Sequence, residues 1–219
     1  MKFYPAILSD SLEEIAHQLT IAQSLDNVSV VQIDILDGLF ADNLTISPSD
    51  LTQLDFGNLK IDFHFMVDEP MDYVHEMADY LDVLPVRVVL AQVEKLSFQQ
   101  ELIQELNKHK IKPGLSLDLF TPLEAIKQDV YGQLSYIQLM AIEAGFQGQQ
   151  LNECVYQKIY SLKKLINEHK LNLEVIVDGG VNLDNIHNLK KAGVDAVAIG
   201  SMLWSAEDPQ EIAKEVSRI

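Results

Sequence analysis

Along this chain, short apolar runs rich in β-branched residues alternate with longer stretches whose apolar positions recur every three or four residues, and clusters of turn formers separate the two. The first texture predicts buried strands and the second amphipathic helices. Phe3-Tyr4-Pro5-Ala6-Ile7-Leu8 reads as the first strand, followed by Ser9-Asp10-Ser11 as caps for a helix carrying Leu12, Ile15, Ala16 and Leu19. The stretch from Val30 to Gly38 carries the second strand and ends in turn formers. Ser47-Pro48-Ser49-Asp50 starts only a short helix, and Lys60 to Val67 is the third strand, with a helix from Pro70 through Tyr80. Val86 to Leu90 is the fourth strand, and its helix runs from about Ser97 to His109. Gly114 to Asp118 is the fifth, with Thr121-Pro122 as cap and first residue of the next helix. Tyr136 to Met140 is the sixth, preceding a glycine-rich loop and a long helix to His169. Leu173 to Asp178 and Ala196 to Ile199 are the seventh and eighth, ending in Gly179-Gly180 and Gly200-Ser201, before a last helix over Asp208 to Val216.

Eight such units share 219 residues, roughly 27 each, with no linker or low-complexity segment between them. This predicts an α/β fold of the (βα)8 TIM-barrel type, one domain spanning residues 1–219. Periodicity alone does not show closure, so a doubly wound open sheet is the alternative. In a barrel the site lies at the C-terminal ends of the strands, and the loops after the last strands commonly hold phosphate on backbone amides.

That rim is where the polar residues become informative. Gln32 and Asp34 lie two apart at the end of the second strand and share a face, and neither belongs in an apolar core without a partner. Asp34 either meets a metal, a cation or a substrate group, or caps the loop that follows. His17, His75, His109, His169 and His187 fall in helices or at their ends, whereas His64 sits late in a strand. Its parity matches Asp62 and Met66, inward if Phe63 and Phe65 face the helices. Asp34, His64 and Asp178 then end strands at one rim.

Composition narrows the partners. Sixteen Lys and Arg against 33 Asp and Glu give a net charge of −17, the wrong sign for nucleic acid or an anionic membrane surface. A phosphorylated substrate must therefore be attracted locally. The single cysteine, Cys154, excludes an intrachain disulfide framework and reads as a packing residue, which suits a reducing cytoplasm. No segment has the pattern of a signal peptide or the apolar length of a membrane span.

The segment Gln32-Ile33-Asp34-Ile35-Leu36-Asp37-Gly38-Leu39-Phe40, with Asn43-Leu44-Thr45 after it, resembles the stretch of the ribulose-phosphate 3-epimerase family that reads His-x-Asp-x-Met-Asp-Gly-x-Phe and then Asn-Leu-Thr. Ile7-Leu8-Ser9, Asp62 to Val67, Gly145-Phe146-Gln147-Gly148-Gln149, Val177-Asp178-Gly179-Gly180 and Gly200-Ser201 follow in the same order, so the resemblance covers nearly the whole chain. It implies a sugar-phosphate 3-epimerase of the ribulose 5-phosphate/xylulose 5-phosphate type, acting on ketose 5- or 6-phosphates. Asp34 and Asp178 match the two catalytic carboxylates, which exchange the proton on carbon 3 from opposite faces. A divalent metal ion (Zn, Mn, Fe or Mg) is implied at Gln32, Asp34, His64 and Asp178. Ser9, His64, Met66 and Met140 match substrate-contacting positions, and Gly145, Phe146, Gln147, Gly148, Gly179, Gly180, Gly200 and Ser201 match the phosphate cradle. Both methionines serve equally well as core. The family's habits also imply a homo-oligomer, dimer or hexamer.

The departures gather at the chemistry. Gln32 stands where the family has a metal-binding histidine and offers at most a harder amide oxygen, so the metal is expected to be weakly bound. Glu143-Ala144 replaces Asn-Pro, Gln147 interrupts a glycine pair, Asp118 replaces a common Asn, and Ala91-Gln92-Val93-Glu94 occupies the place of a His-Pro-Glu. Two readings follow: a metal-assisted epimerase, or a catalytically impaired relative that binds a sugar phosphate in a regulatory or partner role.

Overall fold

A computed structural model describes residues 1–219. Strands β1 (Lys2–Ile7), β2 (Val30–Leu36), β3 (Lys60–Met66), β4 (Val86–Gln92), β5 (Lys112–Leu117), β6 (Tyr136–Met140), β7 (Glu174–Asp178) and β8 (Ala196–Ile199) follow one another around a closed parallel barrel. The ring closes where Lys2 to Pro5 of β1 pair with Ala196 to Ile199 of β8, which settles the choice between barrel and open sheet. Helices α1 (Leu12–Ser24), α2 (Pro70–Ala78), α3 (Gln99–Lys108), α4 (Cys154–His169), α5 (Ile186–Lys191), α6 (Ser201–Trp204) and α7 (Pro209–Arg218) lie in the connections. None is long and apolar enough to cross a membrane.

Both faces of each strand are covered, so the strands read as continuous apolar runs, and all seven residues of β2 are buried. One core lies between the barrel and its helices. Phe63 and Phe65 belong to it, stacked with centroids 5.4 Å apart, and Phe65 meets Tyr73 of α2 at 5.8 Å. Asp62 and His64 consequently point inward, as strand parity predicts. At the N-terminal end of the barrel Asp62 receives the Arg87 guanidinium, whose Nη1 also donates to the Tyr136 hydroxyl at 3.0 Å. Arg87 lies over the rings of Tyr4 and Tyr136, and its bonds to Asp62 outweigh burial and hold its pKa above the ordinary value. This ion pair plugs the bottom and leaves the top of the barrel for chemistry.

Two expectations are corrected. No α-helix follows β5. The segment from Pro122 makes only short 3-10 turns, Leu123–Ala125 and Tyr131–Gln133, and Thr121 caps nothing. Gln99 of α3 takes the Ala125 carbonyl at 2.7 Å and the Lys127 amide at 2.9 Å, while the Tyr131 hydroxyl takes the Leu123 carbonyl at 3.0 Å. Side chains thus hold the backbone groups a helix needs for itself. Cys154 is exposed rather than packed, because it opens α4 on the solvent side, its amide donating to Asn152 Oδ1.

The last helix is set by its cap. Asp208 accepts from the amides of Gln210 and Glu211, and α7 then buries Ala213 and Val216. Asp208→Ala is expected to cost about 1 kcal/mol, or roughly 2–4 °C in the thermal midpoint measured by circular dichroism.

Candidate active site

Three strands deliver one cluster at the top of the barrel. Pairing places Asp34 of β2 beside His64 of β3, and Asp178 ends β7 across the opening. His64 Nδ1 lies 3.1 Å from Asp34 Oδ1 and 3.6 Å from Asp178 Oδ2. Gln32 turns the NH2 of its amide, not the oxygen, toward the carboxylates: Nε2 donates to Asp34 Oδ1 at 2.8 Å and to Asp178 Oδ2 at 2.6 Å. One amide therefore ties the two carboxylates together, and its own oxygen is buried without a partner.

The electrostatics follow from burial. Desolvation, then the Asp34 charge, pushes the Asp178 carboxyl up to about 6, while His64 and Gln32 pull it down. Two buried carboxylates tied to one amide repel one another when both are charged, which is why the Asp34 charge adds to burial in raising Asp178. Burial also opposes charge on His64, yet its bond to Asp34 and the nearby carboxylates raise its pKa above the ordinary value.

Two residues missed in the sequence complete the cluster. Gln138 of β6, fully buried, donates to Asp178 Oδ2 at 3.0 Å. Gln92 of β4, also fully buried, faces His64 Nε2 at 3.2 Å. The only available signal was a glutamine at an inward position of an otherwise apolar strand.

The rest of the motif around Asp34 builds the rim. Thr45 Oγ1 accepts from the Leu36 amide and donates to the Asp34 carbonyl, and Asp37 accepts from the amides of Leu39, Phe40 and Asp68. Asn43 Nδ2 donates to the Gly145 carbonyl at 2.7 Å, joining this loop to the glycine loop after β6. The Asp-Gly and Asn-Leu-Thr segments are therefore scaffolding for Asp34 and the cradle.

Above the carboxylates is a narrow pocket open to solvent, lined by Asp34 and Asp178 at its floor. Met66 and Met140 form one apolar wall with Leu36 and Ile142. Gly145, Phe146, Gln147, Gly148, Gly179, Gly180, Gly200 and Ser201 line the rest. Gly179 (φ +101°) and Gly180 (φ +65°) need the left-handed region, and a Cβ at Gly180 would lie 2.2 Å from the Leu151 nitrogen. Nearest to Gly200 is the Gln147 amide, at about 3.0 Å from where a Cβ would be. Ser9 is not among the residues lining this pocket: its hydroxyl donates to Glu14 at 2.5 Å and accepts from the Ser11 amide. His64 lies fully buried beneath the carboxylates, off the pocket surface.

Residues 2–204 match the model of the ribulose-phosphate 3-epimerase family. The chain belongs to that family. Curated relatives named ribulose-phosphate 3-epimerase include one from Helicobacter pylori, 29% identical over 211 residues (95% of this chain, 93% of the relative). One from Bacillus subtilis is 28% identical over 219 residues, covering 99% of this chain and 98% of its own. A solved 3-hexulose-6-phosphate synthase covers 100% of this chain and 99% of its own at a TM-score of 0.65, with 18% identity, a likeness of fold alone.

Members of the ribulose-phosphate 3-epimerase family use a divalent metal, and the cluster fits one. Asp34, His64 and Asp178 each offer one ligand atom, all within 4.8 Å of one another and buried. The unpartnered Gln32 oxygen supports the fit, since turning the amide over presents that oxygen to a cation between the carboxylates. Such a turn gives up the two bonds from Nε2.

Proposed function

We propose that the protein interconverts ribulose 5-phosphate and xylulose 5-phosphate by exchanging the proton on carbon 3 between Asp34 and Asp178. The observation that carries this reading is the pair of buried carboxylates joined through one amide at the floor of a pocket whose opposite wall is glycine backbone. One carboxylate removes the proton from one face of the sugar, the C–H electrons forming a double bond between carbons 2 and 3 as the carbonyl π electrons move to oxygen; when these return to re-form the carbonyl, the other carboxyl adds its proton to carbon 3 from the opposite face. The raised pKa of Asp178 brings it closer to neutrality, which suits a group that takes up and gives back a proton during the reaction. A divalent cation held by Asp34, His64 and Asp178, joined by Gln32 after its turn, would supply Lewis-acid stabilisation of the enediolate. The methionine wall excludes water from the reacting carbon.

Because Gln32 keeps the carboxylates assembled, loss of the family's histidine does not dismantle the acid–base pair. This favours turnover over a binding-only role. Leu39, Leu44, Phe120 and Phe146 are exposed in loops at the same end of the barrel, which suits a homo-oligomer formed around the site. The test of function is nuclear magnetic resonance of purified protein with ribulose 5-phosphate in the presence of manganese or zinc. Xylulose 5-phosphate should appear; a spectrum unchanged with either ion removes the proposal.

The phosphate is assigned to the glycine loops. Gly180 is a poor place to test this, because its substitution collides with the Leu151 backbone and disturbs the fold. At Gly200 the atoms nearest an added Cβ belong to the Gln147 side chain rather than to backbone. Gly200→Val should weaken binding of a phosphate ester by about tenfold, the loss of one charge-assisted hydrogen bond, with the thermal midpoint little changed. Calorimetric titration with the ester reads this, and equal affinity in the variant would move the phosphate elsewhere.

A further inference from the structure

We propose that Gln92 is a positioning residue for His64: its carboxamide oxygen, locked by Glu94 and Ser116, keeps the proton on His64 Nε2 and reserves Nδ1 for the carboxylate pair and a divalent cation between them. The polarity of the surroundings decides the orientation. One end of the Gln92 amide faces two acceptors, the Ser116 carbonyl at 3.1 Å and Glu94 Oε2 at 2.9 Å, so the NH2 belongs there. The other end then presents oxygen to the Ser116 hydroxyl and to His64 Nε2, each at 3.2 Å. Gln92 is fully buried, and the reversed amide would set its oxygen against two acceptors, the Ser116 carbonyl and the Glu94 carboxylate, and leave its NH2 without an acceptor there. Facing an oxygen, Nε2 must be the donor.

The chain builds this locally. β4 ends at Gln92, and a 3-10 turn over Val93–Lys95 folds Glu94 back so that its carboxylate reaches the amide just before it. Glu94 is itself held by the Asp118 amide at 2.8 Å, after β5. A line of hydrogen bonds thus runs from the β5 loop through Glu94 and Gln92 to His64, whose Nδ1 is 3.1 Å from Asp34 Oδ1. Without it the imidazole is free to turn over, exchanging Nδ1 for a carbon at the site. The partner on the far nitrogen of a ligating histidine fixes both tautomer and ring orientation.

The cation arm of this proposal rests on the function proposed above, whereas the tautomer arm stands without it. The test uses protein with 15N-labelled histidine, metal-free and titrated with zinc alone, in the unaltered chain, Gln92→Leu and Glu94→Ala. The unaltered protein should show a protected Nε2–H resonance for His64 in both states. Gln92→Leu should lose that resonance and bind zinc roughly 10–100-fold more weakly. Glu94→Ala, a change at an exposed residue that leaves the core intact, should shift both readouts in the same direction by less. An unchanged resonance and zinc affinity in Gln92→Leu would overturn the proposal, as would an unaltered protein whose His64 carries its proton on Nδ1 alone. Loss of the resonance in Gln92→Leu together with absent epimerisation by the parent would overturn the function and leave this inference standing.

Discussion

Asp34→Asn and Asp178→Asn are each expected to lower epimerisation by two to four orders of magnitude, roughly the range for removing a positioned acid or base, while a sugar phosphate still binds. An asparagine keeps the shape of the carboxyl and the donors around it, but neither accepts a proton from carbon 3 nor returns one. The two changes should differ in a specific way. A carboxylate that survives alone can still remove and return a proton on its own face, so each variant should exchange carbon 3 hydrogen in one epimer only, and the two variants in opposite epimers. Deuterium uptake from solvent into each ketose phosphate separately, alongside steady-state epimerisation rates and calorimetric binding, checks this. Epimerisation undiminished in either variant removes that residue from the mechanism.

Gln32→His is expected to raise zinc affinity by roughly 10–100-fold, the scale of repairing a ligand environment. In the unaltered chain a cation reaches the Gln32 oxygen only after the amide releases Asp34 and Asp178, bonded at 2.8 Å and 2.6 Å. Hydrogen bonds to charged groups contribute about 1.5–3 kcal/mol each, so this internal pairing competes directly with metal. An imidazole offers a lone pair without that reorganisation and suits zinc better than an amide oxygen. The same reasoning shifts the unaltered site toward manganese or magnesium and leaves it partly loaded on purification. Elemental analysis and zinc titration of both proteins measure the difference. A full equivalent of tightly held zinc in the unaltered protein would contradict this account of Gln32.

The parts of this fold that were legible in the sequence are those fixed by period. Alternation around Phe63 and Phe65 turned His64 inward, and the polar ends of β2 and β7 brought Asp34 and Asp178 to one rim. What escaped was decided by neighbours distant along the chain. The β5 connection reads as a helix until Gln99, more than twenty residues earlier, takes its backbone groups. Gln92 and Gln138 look like tolerated polar residues in strands, and only the closed barrel aims them at His64 and Asp178. The orientation of Gln32 depends on two carboxylates from two strands, which no local pattern encodes.

The central claim is that Asp34 and Asp178 exchange the carbon 3 proton from opposite faces of a ketose phosphate. Its most direct measurement is incubation with ribulose 5-phosphate in deuterated water, in the presence of manganese, followed by mass and magnetic resonance analysis of the sugar. The account predicts deuterium at carbon 3 of both epimers, entering the xylulose product at the rate of its formation. A recovered sugar without deuterium at carbon 3, or a product formed with its original hydrogen retained, would contradict it.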